Sequence, residues 1–222
     1  YVVRYGETWS TSRIQAKISR DGAQTWSDPT VLAFEPGMMV RGRPIVLSNG
    51  DYLLPVYHET GHDTEFVGAE STSLFLRYDA RTRKWAETSR IRSRNGNIQP
   101  AVAAITDDCL VAYCRRGGGY GSDTVGHIIR SESRDGGRTW SDGQDTRFPN
   151  PNAAVDFLRL HNGHLLLAYN HRNYADAWAP ILLALSAVDW TKNPGGIDFV
   201  NPRSVQRPDG KVVTVYYFCD AK

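Results

Sequence analysis

A chain of 222 residues with 26 Lys and Arg against 24 Asp and Glu carries a formal charge of +2. With no Lys/Arg-rich run, that balance argues against nucleic acid or an anionic membrane as the main partner. No apolar stretch approaches the length of a membrane span, and no signal-peptide pattern opens at Tyr1, where the chain reads as starting inside a strand.

In chain order, the first element is the apolar strand RIQAKIS, followed by the octet SRDGAQTW at 19–26. Next comes RPIVLSNGDYLLPVYHE, which reads as strand, two-residue turn, strand. The strand SLFLRYD then leads into RYDARTRKW at 77–85, a worn copy of the octet with Asp79 and Trp85 in the matching places. QPAVAAITDDCLVAYCRR repeats the hairpin, GHIIRSES the strand, and SRDGGRTW at 133–140 the octet. AAVDFLRLHNGHLLLAYNH is a third hairpin, PILLALS a further strand with an eroded octet expected after it, and RSVQRPDGKVVTVYYF a fourth hairpin.

Asp21, Asp79 and Asp135 are separated by 58 and 56 residues. The hairpin turns Asn49-Gly50, Asp107-Asp108, Asn162-Gly163 and Asp209-Gly210 recur at intervals of 58, 55 and 47. Asn, Asp and Gly suit tight hairpins because they tolerate positive φ. No long stretch shows capped helical periodicity. Units of four strands repeating about every 57 residues predict an all-β fold, a β-propeller, as a single domain over residues 1–222. The octet's aspartate is expected to staple its own turn and its tryptophan to pack between sheets. Cys109 and Cys114 fall on opposite faces of one strand and Cys219 has no expected partner, so neither a disulfide nor a zinc site is expected. No motif calls for a metal or cofactor.

If the hairpins and octets share one rim, the opposite rim gathers the starts of the innermost strands and the ends of their neighbours. Loops collected at one end of a rigid scaffold are where sites form. The residues gathered there include Arg41, Arg43, Gln99, Asn152, Asp156 and Arg203, with His58, Glu59, Arg115, Asn170, His171 and Tyr217 at the strand ends. Guanidinium groups hold carboxylates in a bidentate fork, so an anionic sugar is the expected ligand class.

These hairpins and the two full octets together resemble the sialidase/neuraminidase superfamily, most closely its bacterial-type BNR-repeat (Asp-box) branch, over nearly all of the chain. The resemblance implies a six-bladed β-propeller of sialidase type, of which this chain covers about four blades, the others lying mainly before Tyr1. It further implies three arginines on a substrate carboxylate, a tyrosine nucleophile assisted by a glutamate, and an aspartic acid/base. Arg115 matches the second arginine. Gln99 stands where the glutamate is expected, the third arginine falls at about Trp178, and the tyrosine falls at about Asn201. The first arginine and the aspartate precede Tyr1.

Two functions follow. One is an exo-acting glycoside hydrolase on an acidic or deoxy sugar at a glycan end. Glu59, Asp156 and His171 would be its catalytic groups, and Arg43, His58, Gln99, Arg115, Asn170, Arg203 and Tyr217 its substrate contacts. The other is a non-catalytic carbohydrate-binding propeller that has lost sialidase chemistry. The expected partner is a glycan or small acidic sugar, with no nucleic acid and no membrane span. The compartment stays open, a secreted or periplasmic one being compatible.

Overall fold

A computed structural model describes residues 1–61, 67–119, 125–171, 181–185 and 199–218. Apart from a 3-10 turn at Trp9–Thr11, every regular element among the described residues is a strand. The first sheet joins β1 (Val2–Arg4), β2 (Ser12–Ala16) and β3 (Thr30–Ala33). The second holds β4 (Met38–Val40), β5 (Ile45–Val46), β6 (Tyr52–His58), β7 (Thr72–Asp79) and β8 (Lys84–Glu87). The third runs β9 (Asn97–Ala104), β10 (Leu110–Arg116), β11 (His127–Ser133), β12 (Gln144–Pro149). The fourth is β13 (Asp156–Arg159), β14 (Leu165–Asn170), β15 (Ile181–Leu185), and the fifth pairs β16 (Phe199–Gln206) with β17 (Val212–Phe218). All pairings are antiparallel, and apart from β4 with β6 each joins consecutive strands, the pattern of blades laid down one after another. The β-propeller expected from the repeats, of the type that the family resemblance implies, is the fold observed.

Period-two alternation decides which blade each side chain meets. In β6, Leu54 and Val56 pack with Ile14 and Ala33 of the first sheet and with Met38 of β4, whereas Leu53 packs with Val102 and Leu110 of the third sheet and with Trp140 between β11 and β12. A further layer joins Ala101, Ala103 and Val111 of the third sheet to Phe157, Leu167 and Tyr169 of the fourth. Among the described residues the core is thus a series of apolar seams between neighbouring sheets. Cys109 and Cys114 are free thiols, and Cys219 lies outside the described residues.

The octets staple turns as expected. The Asp135 carboxylate accepts the Arg138 and Thr139 N–H groups at 2.9 Å each and the Thr139 hydroxyl at 2.6 Å. Asp21 repeats this with Gln24 and Thr25. The tryptophans differ. Trp140 is buried and stacks on Phe75 at 4.4 Å, while Trp26 is 57% exposed, since no described element covers its side of the first sheet. Asp79 keeps one such bond, from the Thr82 N–H at 2.7 Å. The eroded octet expected after PILLALS lies outside the described residues. Gly50, Gly163 and Gly210 take φ of 84–85° in their turns, where the left-handed region favours glycine. The Asp107-Asp108 turn does without positive φ.

A second kind of staple links blades. The Asp51 carboxylate accepts the Ala80 N–H at 2.9 Å and an Arg77 guanidinium N–H at 2.5 Å, and Arg77 also donates to the carbonyl of Gly136 in the next blade's octet turn.

Candidate anion-binding site

The inner strands break at a common register. In the second sheet β4 pairs with the end of β6 and β5 with its start, leaving Arg41–Pro44 outside the ladder. In the third sheet the β9/β10 register shifts around Gln99-Pro100, and in the fifth the β16/β17 register shifts around Asn201-Pro202. Proline lacks the N–H that a ladder requires, so each break is written into the sequence. Gly42 lets the second break close. An added Cβ would lie 2.6 Å from Pro55 Cβ and 3.1 Å from the Pro100 carbonyl.

The hairpin-closing bonds align the four inner hairpins. Leu47, Ile105, Leu160 and Arg207 donate to the carbonyls of Asp51, Cys109, His164 and Lys211. Counting from these bonds, Arg43, Ala101, Asp156 and Arg203 are equivalent, as are Tyr57, Arg115, Asn170 and Tyr217. Both sets belong to the same end of the inner hairpins, away from their turns.

Arg41, Arg43, Asp156 and Arg203 line a cleft of about 320 Å³ beside Ser204, Val205 and Val213. Asp156 is 3% exposed, and its Oδ2 accepts the Ser204 N–H. Arg41 donates to the Val155 carbonyl at 3.2 Å. Burial depresses its guanidinium to about 10, helped by the positive charges of Arg203 and Arg115 and opposed by Asp156 and Tyr57. Arg203 is lowered by burial and by Arg43, with Asp156 pulling the other way. Four guanidinium groups thus share this end of the molecule, close enough that neighbours in the series perturb one another.

On the next blade seam, Arg115 Nε donates to Asn152 Oδ1 at 2.7 Å and Nη1 to Gln99 Oε1 at 3.4 Å. Asn152 passes the contact on, donating to the Gly118 carbonyl at 2.8 Å. Gln99 and Asn152 both sit in the left-handed region, at φ of 54° and 61°. Non-glycine residues there cost energy and gather at sites where surrounding structure over-determines them. Tyr57 joins this group through a hydrogen bond with Gln99. Burial and the nearby Glu59 charge push its hydroxyl up to about 12, against the pull of Gln99, Arg115 and Arg41, so the phenol stays protonated at neutral pH.

The other expected site residues are distributed as follows. Glu59 is 7% exposed, a buried carboxylate near Tyr57 and not a solvated strand end. His58 is on the opposite face of β6, with Nε2 3.0 Å from the Pro36 carbonyl and 3.6 Å from Glu35, which also pairs with Arg90. His171 Nδ1 lies 2.9 Å from the Tyr169 hydroxyl on the seam with the third sheet, where burial lowers its pKa. Neither histidine lines the cleft. Asn170 is buried two residues beyond Ala168, the β14 partner of Asp156, and so shares that face of the sheet. Tyr217 lies on β17 opposite Val200, and Trp178 lies outside the described residues. Tyr57 and Arg41 were not singled out as contacts from the sequence. The signal was present, since aligning the hairpins on their turns puts Tyr57 at the position of Arg115.

The model of the BNR repeat-like domain matches residues 1–212. The chain belongs to the BNR repeat-like family. No curated protein matches it. Among solved structures, this BNR repeat-like chain is similar to the K499G mutant of NanB sialidase from Streptococcus pneumoniae, with a TM-score of 0.71 and 15% identity over 95% of this chain and 33% of that one. It is also similar to the intramolecular trans-sialidase of Ruminococcus gnavus in complex with oseltamivir carboxylate, with TM-score 0.70, 17% identity, and coverage of 93% and 46%. The leech intramolecular trans-sialidase gives TM-score 0.69, 18% identity, and coverage of 93% and 33%. The BNR repeat-like chain therefore spans between a third and just under half of the length of these proteins, and the likeness is one of fold. Among its described residues no helix is long and apolar enough to cross a membrane.

Proposed function

We propose that this chain forms the substrate-holding part of a glycoside hydrolase that acts at the end of an acidic glycan. The observation that carries the reading is the convergence of Arg41, Arg43 and Arg203 on one cleft with Asp156, beside the Arg115–Gln99–Tyr57 group. Guanidinium groups suit the carboxylate of an acidic sugar, and burial strengthens each contact. Most glycosidases use two carboxyl groups, one as acid and one as base or nucleophile. Asp156 opens onto the cleft and takes the acid/base part, with Glu59 behind Tyr57 as the second carboxylate. His171, on the neighbouring seam, is held back as a proton carrier reached through Tyr169. Arg43, Arg115, Arg203, Gln99 and Asn170 hold the sugar, with Tyr217 as a stacking surface at the rim.

A specific observation favours a second reading, a carbohydrate-binding propeller without turnover. The position where sialidases of this resemblance carry a glutamate holds Gln99, whose amide cannot act as a general base. The test is hydrolysis of aryl glycosides and natural acidic oligosaccharides by the full-length protein, alongside calorimetric binding. Turnover abolished by Glu59→Gln or Asp156→Asn with binding retained supports the hydrolase. Binding without turnover in the full-length protein supports the second reading. Acidic sugars that fail to bind at all would remove both.

A further inference from the structure

The guanidinium groups at this end of the inner hairpins fall into two loci. Arg115 is tied to Gln99 and Asn152 next to Tyr57. Arg43 and Arg203 line the 320 Å³ cleft with Asp156, and Arg115 is not among the residues that line it. Arg41 lines the cleft as well and feels the charges of both Arg203 and Arg115. Arg43 and Arg203 reach the cleft from equivalent hairpin positions in two different blades, Arg43 from the second sheet and Arg203 from the fifth, which follows the sheet that supplies Asp156. Arg43 is exposed, lines the cleft, and makes no hydrogen bond or ion pair among the described residues. The cleft volume is on the scale of a small-molecule site. Val205 and Val213 give it an apolar wall against which a sugar ring can lie.

We propose that Arg43 and Arg203 form a second anion subsite, so that the ligand carries two acidic groups, one held at Arg115 and the other in the Asp156 cleft. This rests on the acidic-glycan reading above and narrows it to chains with two negative charges on the terminal or adjacent sugar units. A carboxylate and a sulfate ester present the same oxygen fork to guanidinium, so either can supply the second charge.

The experiment is calorimetric titration of the full-length protein with methyl glucuronide (one carboxylate), digalacturonic acid (two carboxylates) and a sulfated uronic acid disaccharide (one carboxylate, one sulfate). At low salt the doubly charged ligands are expected to bind about tenfold more tightly than methyl glucuronide, one added charge-assisted contact, and added salt erodes the advantage. Whichever disaccharide binds more tightly identifies the source of the second charge. Arg43→Ala and Arg203→Ala should each collapse the ratio toward one, and Arg43→Lys should restore part of it. Arg115→Ala should weaken all three ligands and leave the ratio in place. Because Arg43 is exposed, its variants should melt with the parent protein, which keeps the ratio interpretable. A parent ratio below about twofold, or one indifferent to Arg43→Ala, overturns the subsite while leaving the acidic-sugar reading intact. Failure of all three ligands to bind overturns both.

Discussion

Arg115 Nε donates to Asn152 Oδ1 at 2.7 Å, joining the end of β10 to the loop that enters the next blade. The bond fixes the plane of the guanidinium while Nη1 rests on Gln99. A fork oriented in advance loses less entropy when it meets a carboxylate.

Arg115→Ala is therefore expected to weaken binding of a carboxylated sugar by about 2 kcal/mol or more, the scale of a charge-assisted contact. Arg115→Lys should recover little, because a point charge cannot keep both the Asn152 bond and the fork. Calorimetric titration against a uronic acid checks this, and an unchanged affinity would remove Arg115 from the site.

The octet aspartate Asp135 is expected to contribute to stability in acid. Asp135 is pulled down to about 2: burial raises it, but hydrogen bonds from Thr139, Ser133 and the Arg138 N–H outweigh that. A carboxylate lowered on folding stabilises fully above its ordinary value, and the contribution disappears as the pH falls through about 2. Asp135→Asn should lower the melting temperature at pH 7 and flatten its fall between pH 4 and pH 2. A parent-like slope in that window, followed by circular dichroism, would show that this carboxylate does not control acid unfolding.

Trp140 and Trp26 occupy the same place in their octets with opposite surroundings. Trp140 stacks on Phe75 with ring planes 25° apart and lies in the seam with Leu53 and Ile129. Truncating it to Ala should cost about 3–5 kcal/mol, the range for a large aromatic lost from a packed core. Trp26→Ala, at a residue 57% exposed, should fall within about 0.5 kcal/mol of the parent. Urea unfolding of the two variants provides the comparison. Equal losses would mean that the first sheet's open side is covered in the full-length protein.

The contrast also marks how far the sequence could be read. The octets and the Asn-Gly and Asp-Gly turns carry local chemistry, a carboxylate in a tight turn or glycine at positive φ, and these locate the blades without any tertiary information. Arg43, Asp156 and Arg203 could be grouped because blade register fixes which strand ends share a rim. His58 could not be separated from Tyr57 in the same way. In the apolar run LLPVYH both faces of β6 are buried against neighbouring blades, so alternation leaves no polar stripe to say which side chain turns toward the site. The split of the inner strand at Arg41–Pro44 was equally silent, since Met38–Val40 is too short to announce itself as a strand. The contact of the exposed His171 with the Tyr169 hydroxyl depends on where a seam between blades holds the tyrosine, which no local pattern encodes.

Gln99 offers the most informative substitution. Its Oε1 accepts from Arg115 Nη1 at 3.4 Å, and its amide bonds Tyr57. Gln99→Glu would place a carboxylate against Arg115 with almost no change of shape. The new charge competes with the ligand's own anion for the same guanidinium, so affinity for a carboxylated sugar should fall several-fold, with the deficit shrinking as salt rises. A second charge beside Tyr57 acts as Glu59 already does and lifts the phenol further above its ordinary value. The phenol is then less ready to give up its proton, unless a bound ligand takes over Arg115 and frees the introduced carboxylate to accept it. Binding and aryl glycoside hydrolysis measured on the same preparation separate these effects. Tighter binding of the acidic sugar by Gln99→Glu would contradict the assignment of Arg115 as its anchor.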